Sequence, residues 1–320
     1  ALFSNTTGSY NVAIGKSALL FNTTASNNTA VGFEAGYNNT TGISLAHFGY
    51  QSGYSNTTGD DNSFFGRSSG YSTTTGNYNT GIGRSALALN TTASSNTAVG
   101  YQAGYSNTTG TPNTSLGYRA LYTNSTGTNN VAVGDQALIT ATGSHNTGLG
   151  SLSLNETSTG AYNTAVGSGS LQKNTTANNN TAVGYQAAYT NTTGANHTAL
   201  GYQALYSNTT ASENTALGYY ALRTTTTGAF NVGVGHYALN ESTTASGNTA
   251  VGYLASRRNT TGASNVSLGY QALYENTTAS NNTAVGYQSL YTNTTLGSST
   301  AVGYQAGYSN TSGGVQAFGY

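Results

Sequence analysis

Several short stretches of this 320-residue chain carry residue types that chemistry could use. Gly66-Arg67-Ser68-Ser69-Gly70 has the spacing of the G-x-S-x-G elbow, in which a strained strand-to-helix turn exposes a nucleophilic serine. The pairs Gly81/Gly83 and Gly233/Gly235 begin like a dinucleotide loop, whose backbone amides cradle a pyrophosphate. His47, His145, His197 and His236 could ligate a metal, and Asp60-Asp61 could touch a cation. Each lacks the context its chemistry needs. The serine pentapeptide has no strand–turn–helix around it, and the glycine pairs lack the third glycine and the helix. The histidines share no register, and two carboxylates alone make weak ligands. The sequence assigns no catalytic residue, no cofactor and no metal, and reads as a non-enzyme.

A different chemistry recurs at Asn5, Asn22, Asn39, Asn56, Asn90, Asn107, Asn124, Asn174, Asn191, Asn208, Asn259, Asn276, Asn293 and Asn310. Each opens an N-x-[S/T] sequon. In a glycosylating secretory system such a row predicts a stripe of glycans, N-linked there or O-linked on the neighbouring threonines. The alternative is that Asn and Thr are simply good turn and ladder residues.

The elements that position all of these are copies of one unit. Nineteen glycines, from Gly15, Gly32 and Gly49 to Gly303 and Gly319, are spaced 17 residues apart in sixteen of eighteen gaps and 16 apart in two. The unit is N-T-A-V-G-Y-Q-A-L-Y-S-N-T-T-G-x-x, numbered 1 to 17. Serine of the elbow is merely position 7 or 8, and the sequon asparagine is position 12. Obligatory glycine, Asn-Thr-Thr-Gly and β-branched residues oppose helix. T-A-V-G-Y reads as one short strand, Q-A-L-Y-S as a second, and N-T-T-G-x-x as a turn. Positions 2, 4, 8 and 9 are small or apolar and read as the inward set, which puts Val183 at position 4 inside. The charges respect this choice: Lys16, Arg67 and Arg84 at position 6, Arg119 at 7, Arg223 and Arg257 at 10, Lys173 and Arg258 at 11.

Such a unit cannot bury an interior alone; stacking does so. The prediction is an all-β parallel β-solenoid (β-roll) of about nineteen 17-residue coils, two short strands per coil. Residues 1–320 form one continuous array with no internal boundary. At a ~4.8 Å step this makes a rod roughly 90 Å long. Stacking places like residues above one another, which disfavours charge; charged residues are 5% of the chain and the net charge is +0. It favours ladders of Asn, Thr and Tyr. Asn occupies position 1 in fifteen units, where a ladder would satisfy turn backbone.

Of 26 tyrosines, 21 fall in two stripes. Position 6 holds Tyr50, Tyr101, Tyr118, Tyr185, Tyr202, Tyr219, Tyr253, Tyr270, Tyr287, Tyr304 and Tyr320. Position 10 holds Tyr37, Tyr54, Tyr71, Tyr105, Tyr122, Tyr189, Tyr206, Tyr274, Tyr291 and Tyr308. Either tyrosine merely suits strands, or the stripes are aromatic faces that pack on another chain. Wherever position 9 is Gly (Gly36, Gly53, Gly70, Gly104, Gly307), position 10 is Tyr, as if the ring folds over the space a leucine would fill.

Asn96-Thr97-Ala98-Val99-Gly100-Tyr101-Gln102-Ala103, and most closely Asn11-Val12-Ala13-Ile14-Gly15, resemble the YadA-like head repeats of trimeric autotransporter adhesins. They are also similar to N-T-A-V-G-Y-x-A-L arrays of predicted phage tail-fibre and surface proteins. The resemblance covers the chain. It implies a left-handed parallel β-roll, commonly trimeric, displayed outside the cell for adhesion. The period of 17 is longer than that family's unit, and neither its coiled-coil stalk nor its membrane anchor is present in this sequence.

Composition narrows function further. No run of 18 apolar residues suggests membrane insertion, and no basic footprint suggests nucleic acid. With no cysteine there is no disulfide framework. The chain lacks an initiator Met, so it reads as a mature or excised piece of a longer product. It starts at position 8 and stops at position 6, a phase that suits head-to-tail stacking or a cut from a longer array. The function expected is structural and extracellular or cell-surface: a self-assembling filament or adhesive fibre. Its partners would be itself, as filament or trimer, and host or surface glycans. A phage or viral tail-fibre shaft and an ice-binding protein are the alternatives.

Overall fold

A computed structural model of the chain describes residues 1–310 and 312–319. Tyr320 of the position-6 stripe lies outside the described residues. The chain is all-β, a parallel β-solenoid. Its contacts gather into two compact units, Ala1–Ala161 and Tyr162–Tyr320. The first carries nine strands, β1 (Val12–Ile14) to β9 (Thr147–Leu149); the second carries ten, β10 (Thr164–Val166) to β19 (Gln316–Phe318). Within each unit successive strands pair parallel and in register, Thr29 opposite Ala46 and Ala182 opposite Ala199. The two 16-residue steps keep the register, Val131 opposite Thr147 and Thr300 opposite Gln316.

Each coil forms one strand, not two. Q-A-L-Y-S, which the sequence offers as a second strand, is a run of turns. Positions 7 and 9 both take left-handed φ, as at Gln102 (54°), Arg119 (51°), Leu121 (53°) and Leu205 (54°). Such residues cost of order 1 kcal/mol each. Bonds to the next coil offset this: Leu19 N–H donates to Ala35 C=O at 3.0 Å, and Leu89 N–H to Tyr105 C=O at 2.9 Å. The chain must reverse around a thin interior within these few residues, which an extended strand cannot do. A left-handed position 9 also explains why glycine alternates with leucine there.

The interior set differs from the sequence expectation at the strand. Alternation puts positions 2 and 4 on one face of the strand and position 3 on the other, so either the pair or position 3 alone faces inward. Position 3 is the one: Ala30, Ala98, Ala182 and Ala199 are fully buried. Positions 2 and 4 lie on the outer face, and Val183 is 36% exposed. The bulkier apolar residue is outside because the lumen is narrow at position 3; it takes a ring there only at His47 and Phe64, where position 9 of the same coil is glycine. Positions 8 and 9 do face inward, as Ala103, Leu121 and Leu205 show.

The rest of the lumen is polar. Position-1 and position-12 asparagines are buried in two ladders. Asn28 Nδ2 donates to Gly42 C=O (2.9 Å), and its Oδ1 accepts from Leu45 N–H (2.9 Å). Asn39 Nδ2 donates to Gly42 C=O and to Asn22 Oδ1, both at 2.9 Å. Position-13 threonines add a third ladder, Thr40 Oγ1 donating to Thr57 C=O at 3.0 Å. Buried amides are tolerable because nearly all of their bonds are made.

Two glycine rules follow. At position 5 the φ of Gly184 is +133°, and a Cβ would stand 2.4 Å from Gly201 O; only glycine fits. At position 9 the space beside glycine is not filled by the following tyrosine. A Cβ at Gly53 would meet the His47 ring, and one at Gly70 the Phe64 ring, each at 2.3 Å. These bulky position-3 residues stack on each other at 5.3 Å. Elsewhere a leucine of the coil before reaches across, as Leu87 does at Gly104.

Candidate functional site: the outward ladders

The residues with chemical potential are dispersed into structural roles. Ser69 Oγ, in the elbow-like pentapeptide, donates to Gly81 C=O at 2.8 Å inside the lumen. Gly81 and Gly233 are position-3 residues packed in the lumen, where a Cβ would stand 2.7 Å from Ser69 Oγ and 3.1 Å from Leu222 Cγ respectively. His197 stands in for a position-1 asparagine. Its Nδ1 accepts from Asn214 N–H (3.2 Å), so Nε2 carries the proton and donates to Ala211 C=O (2.7 Å). Burial lowers its pKa. His47 is wholly buried with neither ring nitrogen hydrogen-bonded, and desolvation lowers its pKa to about 3. His236 is a rung of the position-6 stack, and His145 is one of the left-handed position-17 residues. Asp60 Oδ1 accepts from Ile43 N–H at 2.8 Å, as Ser26 Oγ accepts from Ser9 N–H. Among the described residues no three His, Asp or Glu converge on a metal position. Among the described residues no helix is long and apolar enough to cross a membrane.

The sequon row also changes meaning. Asn22, Asn39, Asn56, Asn90, Asn107, Asn124, Asn174, Asn191, Asn208, Asn259, Asn276 and Asn293 are buried, with exposures of 0–1%. Asn5 and Asn310 are half-buried. Asn56 Nδ2, the atom a glycan would occupy, donates to Gly59 C=O (3.0 Å) and Asn39 Oδ1 (2.9 Å). A stripe of N-glycans on the folded coil is therefore corrected to an internal amide ladder. The exposed hydroxyls of this turn belong to position-14 threonines such as Thr24, Thr41 and Thr58.

What remains outward is periodic. Positions 2 and 4 put a ladder of Thr or Val beside a ladder of Val, Leu, Ile or Phe; Ile82 is 42% exposed. Position 6 adds rings. Tyr185, Tyr202, Tyr219, His236, Tyr253, Tyr270, Tyr287 and Tyr304 make one unbroken stack with centroids 5.0–5.3 Å apart. In the first unit Phe33–Tyr50 and Tyr101–Tyr118 stack at 5.2 and 5.5 Å. The steps between them hold Arg67 and Arg84, whose guanidinium groups sit 5.6 Å from Tyr50 and 5.7 Å from Tyr101. A cation over a ring face continues the column where a ring is missing.

Position 10 forms a second, more buried column. Tyr37, Tyr54 and Tyr71 stack at 5.0 and 5.1 Å, Tyr105–Tyr122 at 5.1 Å, Tyr189–Tyr206 at 5.2 Å, and Tyr274, Tyr291 and Tyr308 at 5.2 and 5.0 Å. Position-7 glutamines link neighbouring coils, Gln288 Nε2 donating to Gln271 Oε1 at 2.7 Å. Around Tyr219, Tyr220 and Tyr237 the pattern thickens. The hydrogen bond to Tyr220, then burial, pushes the Tyr219 hydroxyl up to about 12. Arg257 bonds the Tyr274 hydroxyl at 2.8 Å and lies 3.6 Å from Glu241; Arg258 bonds Glu275 at 2.5 Å.

The sequence finds both stripes as columns. It misses that each position-4 residue joins them on the surface. Only strand alternation carried that signal, in the predominance of Ala at position 3. No protein-family model, no curated protein and no solved structure matches the chain.

Proposed function

We propose that the chain is a structural repeat protein, a β-solenoid that assembles into an extracellular filament or adhesive surface fibre. One observation carries this reading: most coils present, in register, an outward row of threonine or valine at position 2, an aliphatic residue or phenylalanine at position 4 and an aromatic ring at position 6. A surface of that kind offers many identical weak contacts, and their sum gives avidity. Aromatic residues concentrated beside aliphatic ones suit the core of a protein interface. The partner is then another copy of the chain, or a surface of glycans met by the tyrosine and glutamine edges. The dispersal of histidine, serine and carboxylates into ladder positions supports a role without turnover. The likeness to YadA-like heads and to tail-fibre repeats points the same way.

Electron microscopy of the purified chain, alongside a Tyr185→Ser, Tyr202→Ser, Tyr219→Ser variant, tests the reading. Bundles or fibres that disperse in the variant, with β-rich circular dichroism retained, are expected. Assemblies unchanged in the variant, or none in either protein, would count against it.

A second reading gains from the fold. Position-2 threonines and position-4 aliphatics stand together on a regular outer sheet, the sort of face that can order water as ice does. Thermal hysteresis that survives the tyrosine variant but is lost on mutating Thr198 and Thr215 would favour ice binding.

A further inference from the structure

The position-10 column is interrupted once by a small residue. Ala88 is the one non-tyrosine at this position with tyrosine at position 10 in the coil before and the coil after. Elsewhere the column stops at longer side chains such as Ile139, Gln172 or Arg257, whose guanidinium reaches 5.9 Å from the Tyr274 ring. At Ala88 nothing takes the vacant rung. Tyr71 and Tyr105 stand two coils apart, which at the strand spacing is roughly 10 Å. The ladder's own ring-to-ring step is 5.1 Å on both sides of the gap, at Tyr54–Tyr71 and Tyr105–Tyr122. One more ring therefore fits midway with an ordinary step to each neighbour.

A cavity of about 390 Å³ occupies this place. Tyr71 and Tyr105 line it together with Ala88 and Leu89, and its polar lining is Gln51, Ser68, Ser72 and Ser85. Ala88 is buried, whereas Leu89 is exposed. The polar lining is itself a departure from the repeat. Position 7 is serine at Ser68 and Ser85, in the two coils between Gln51, which also borders the cavity, and Gln102, so two glutamines that would narrow the slot are replaced by short side chains. The volume lies within the range of small-molecule sites, and the lining mixes two tyrosine rings and two aliphatic residues with hydroxyls and an amide that can fix a polar group.

We propose that this slot binds one planar aromatic molecule of the phenol or indole class. The ring inserts between Tyr71 and Tyr105 as the missing rung, and its hydroxyl or N–H bonds Ser68 or Ser85. The walls select for planarity, since a puckered ring is thicker than one ladder step on each side allows. Stacking on both faces supplies the attraction. The site is open at one side, so entry needs no movement of the coil. The assignment stands independently of whether the chain assembles.

The test uses the full chain with p-cresol and indole as probes and cyclohexanol as the non-planar control, followed by saturation-transfer NMR. A ligand of this size at a single slot has Kd on the order of 1 mM. Ala88→Tyr installs the consensus rung and should weaken p-cresol binding at least tenfold, with the melting temperature held or raised. Ser85→Gln, also a consensus residue, should weaken it too, and serves if Ala88→Tyr misfolds. Unchanged binding in these variants, equal binding of cyclohexanol, or no saturable binding to the wild type would each overturn the proposal. So would a wild type that sediments as a larger species than Ala88→Tyr, because a side chain from a second copy would then be the occupant.

Discussion

Replacing Asn39 separates an inward ladder from an outward sequon. In the folded coil Asn39 Nδ2 donates to Gly42 C=O and Asn22 Oδ1, and Asn39 Oδ1 accepts from Asn56 Nδ2, all at 2.9 Å. Its side chain is fully buried. Asn39→Ala deletes three hydrogen bonds, each worth about 1 kcal/mol net. The partners are not stranded, since Asn28 Nδ2 still donates to Gly42 C=O (2.9 Å) and Asn22 Oδ1 (3.3 Å). The expected loss is therefore about 3 kcal/mol, or roughly a hundredfold in the local opening equilibrium. Asn39→Asp is nearly the same shape but worse near neutral pH. It turns a carboxylate oxygen onto two acceptors and buries a charge. Its folded pKa must lie above the ordinary carboxyl value near ~4. The folded state then binds the proton more tightly, so the variant is least impaired below that pH and loses stability as pH rises through and beyond it. Repeat arrays open in local units, so the assay is hydrogen exchange of peptides spanning residues 22–56, read against distant coils as internal controls. Exchange within about 0.5 kcal/mol of wild type for both variants would refute the inward ladder, because surface changes fall in that range.

Three other perturbations follow from the same architecture. Ala182→Asp places a charge in the lumen and should cost several kcal/mol, whereas Val183→Asp, on the outer face, should stay within about 1 kcal/mol; urea unfolding of the pair decides which position is interior. For His47, a folded pKa of about 3 against 6.5 unfolded means that the unfolded state takes up the proton first as pH falls. Stability is then lost from about pH 6.5 down to pH 3, by about 5 kcal/mol in all, and His47→Phe should abolish that acid slope in melting curves. Gly184→Ala meets Gly201 O at 2.4 Å with φ at +133°, so a melting temperature equal to wild type would contradict the backbone described for position 5.

Much of this fold can be read from periodicity. The recurring glycine sets the coil, and its near-constant spacing sets the register that Ala182 keeps with Ala199. The tyrosine columns and the position-1 asparagine ladder also follow, because stacking maps each residue onto its copy. Reading the sides of a coil is harder. Hydropathy favours valine over alanine as the buried residue, yet Ala182 is inside and Val183 outside. A second strand over Q-A-L-Y-S looks reasonable from composition, and the left-handed φ values at Gln203 and Leu205 replace it. The sequons at Asn39 and Asn56 look like surface chemistry until the amides are seen bonded to one another. The slot at Ala88 is visible in the sequence only as one missing tyrosine; that it is an open cavity depends on Ser68 and Ser85 lying on the same side.

The sequence by itself determines the repeat, its register and the identity of the ladders, because an in-register stack of identical coils leaves no other partner for each residue than its copy. Which face of the strand lines the lumen is decided only by the closed coil. Alternation divides positions 2, 3 and 4 between two faces without saying which face is inside. That choice rests on the width of an interior that must hold Ala, Leu and two rows of Asn amides at once, a collective volume that no single repeat specifies.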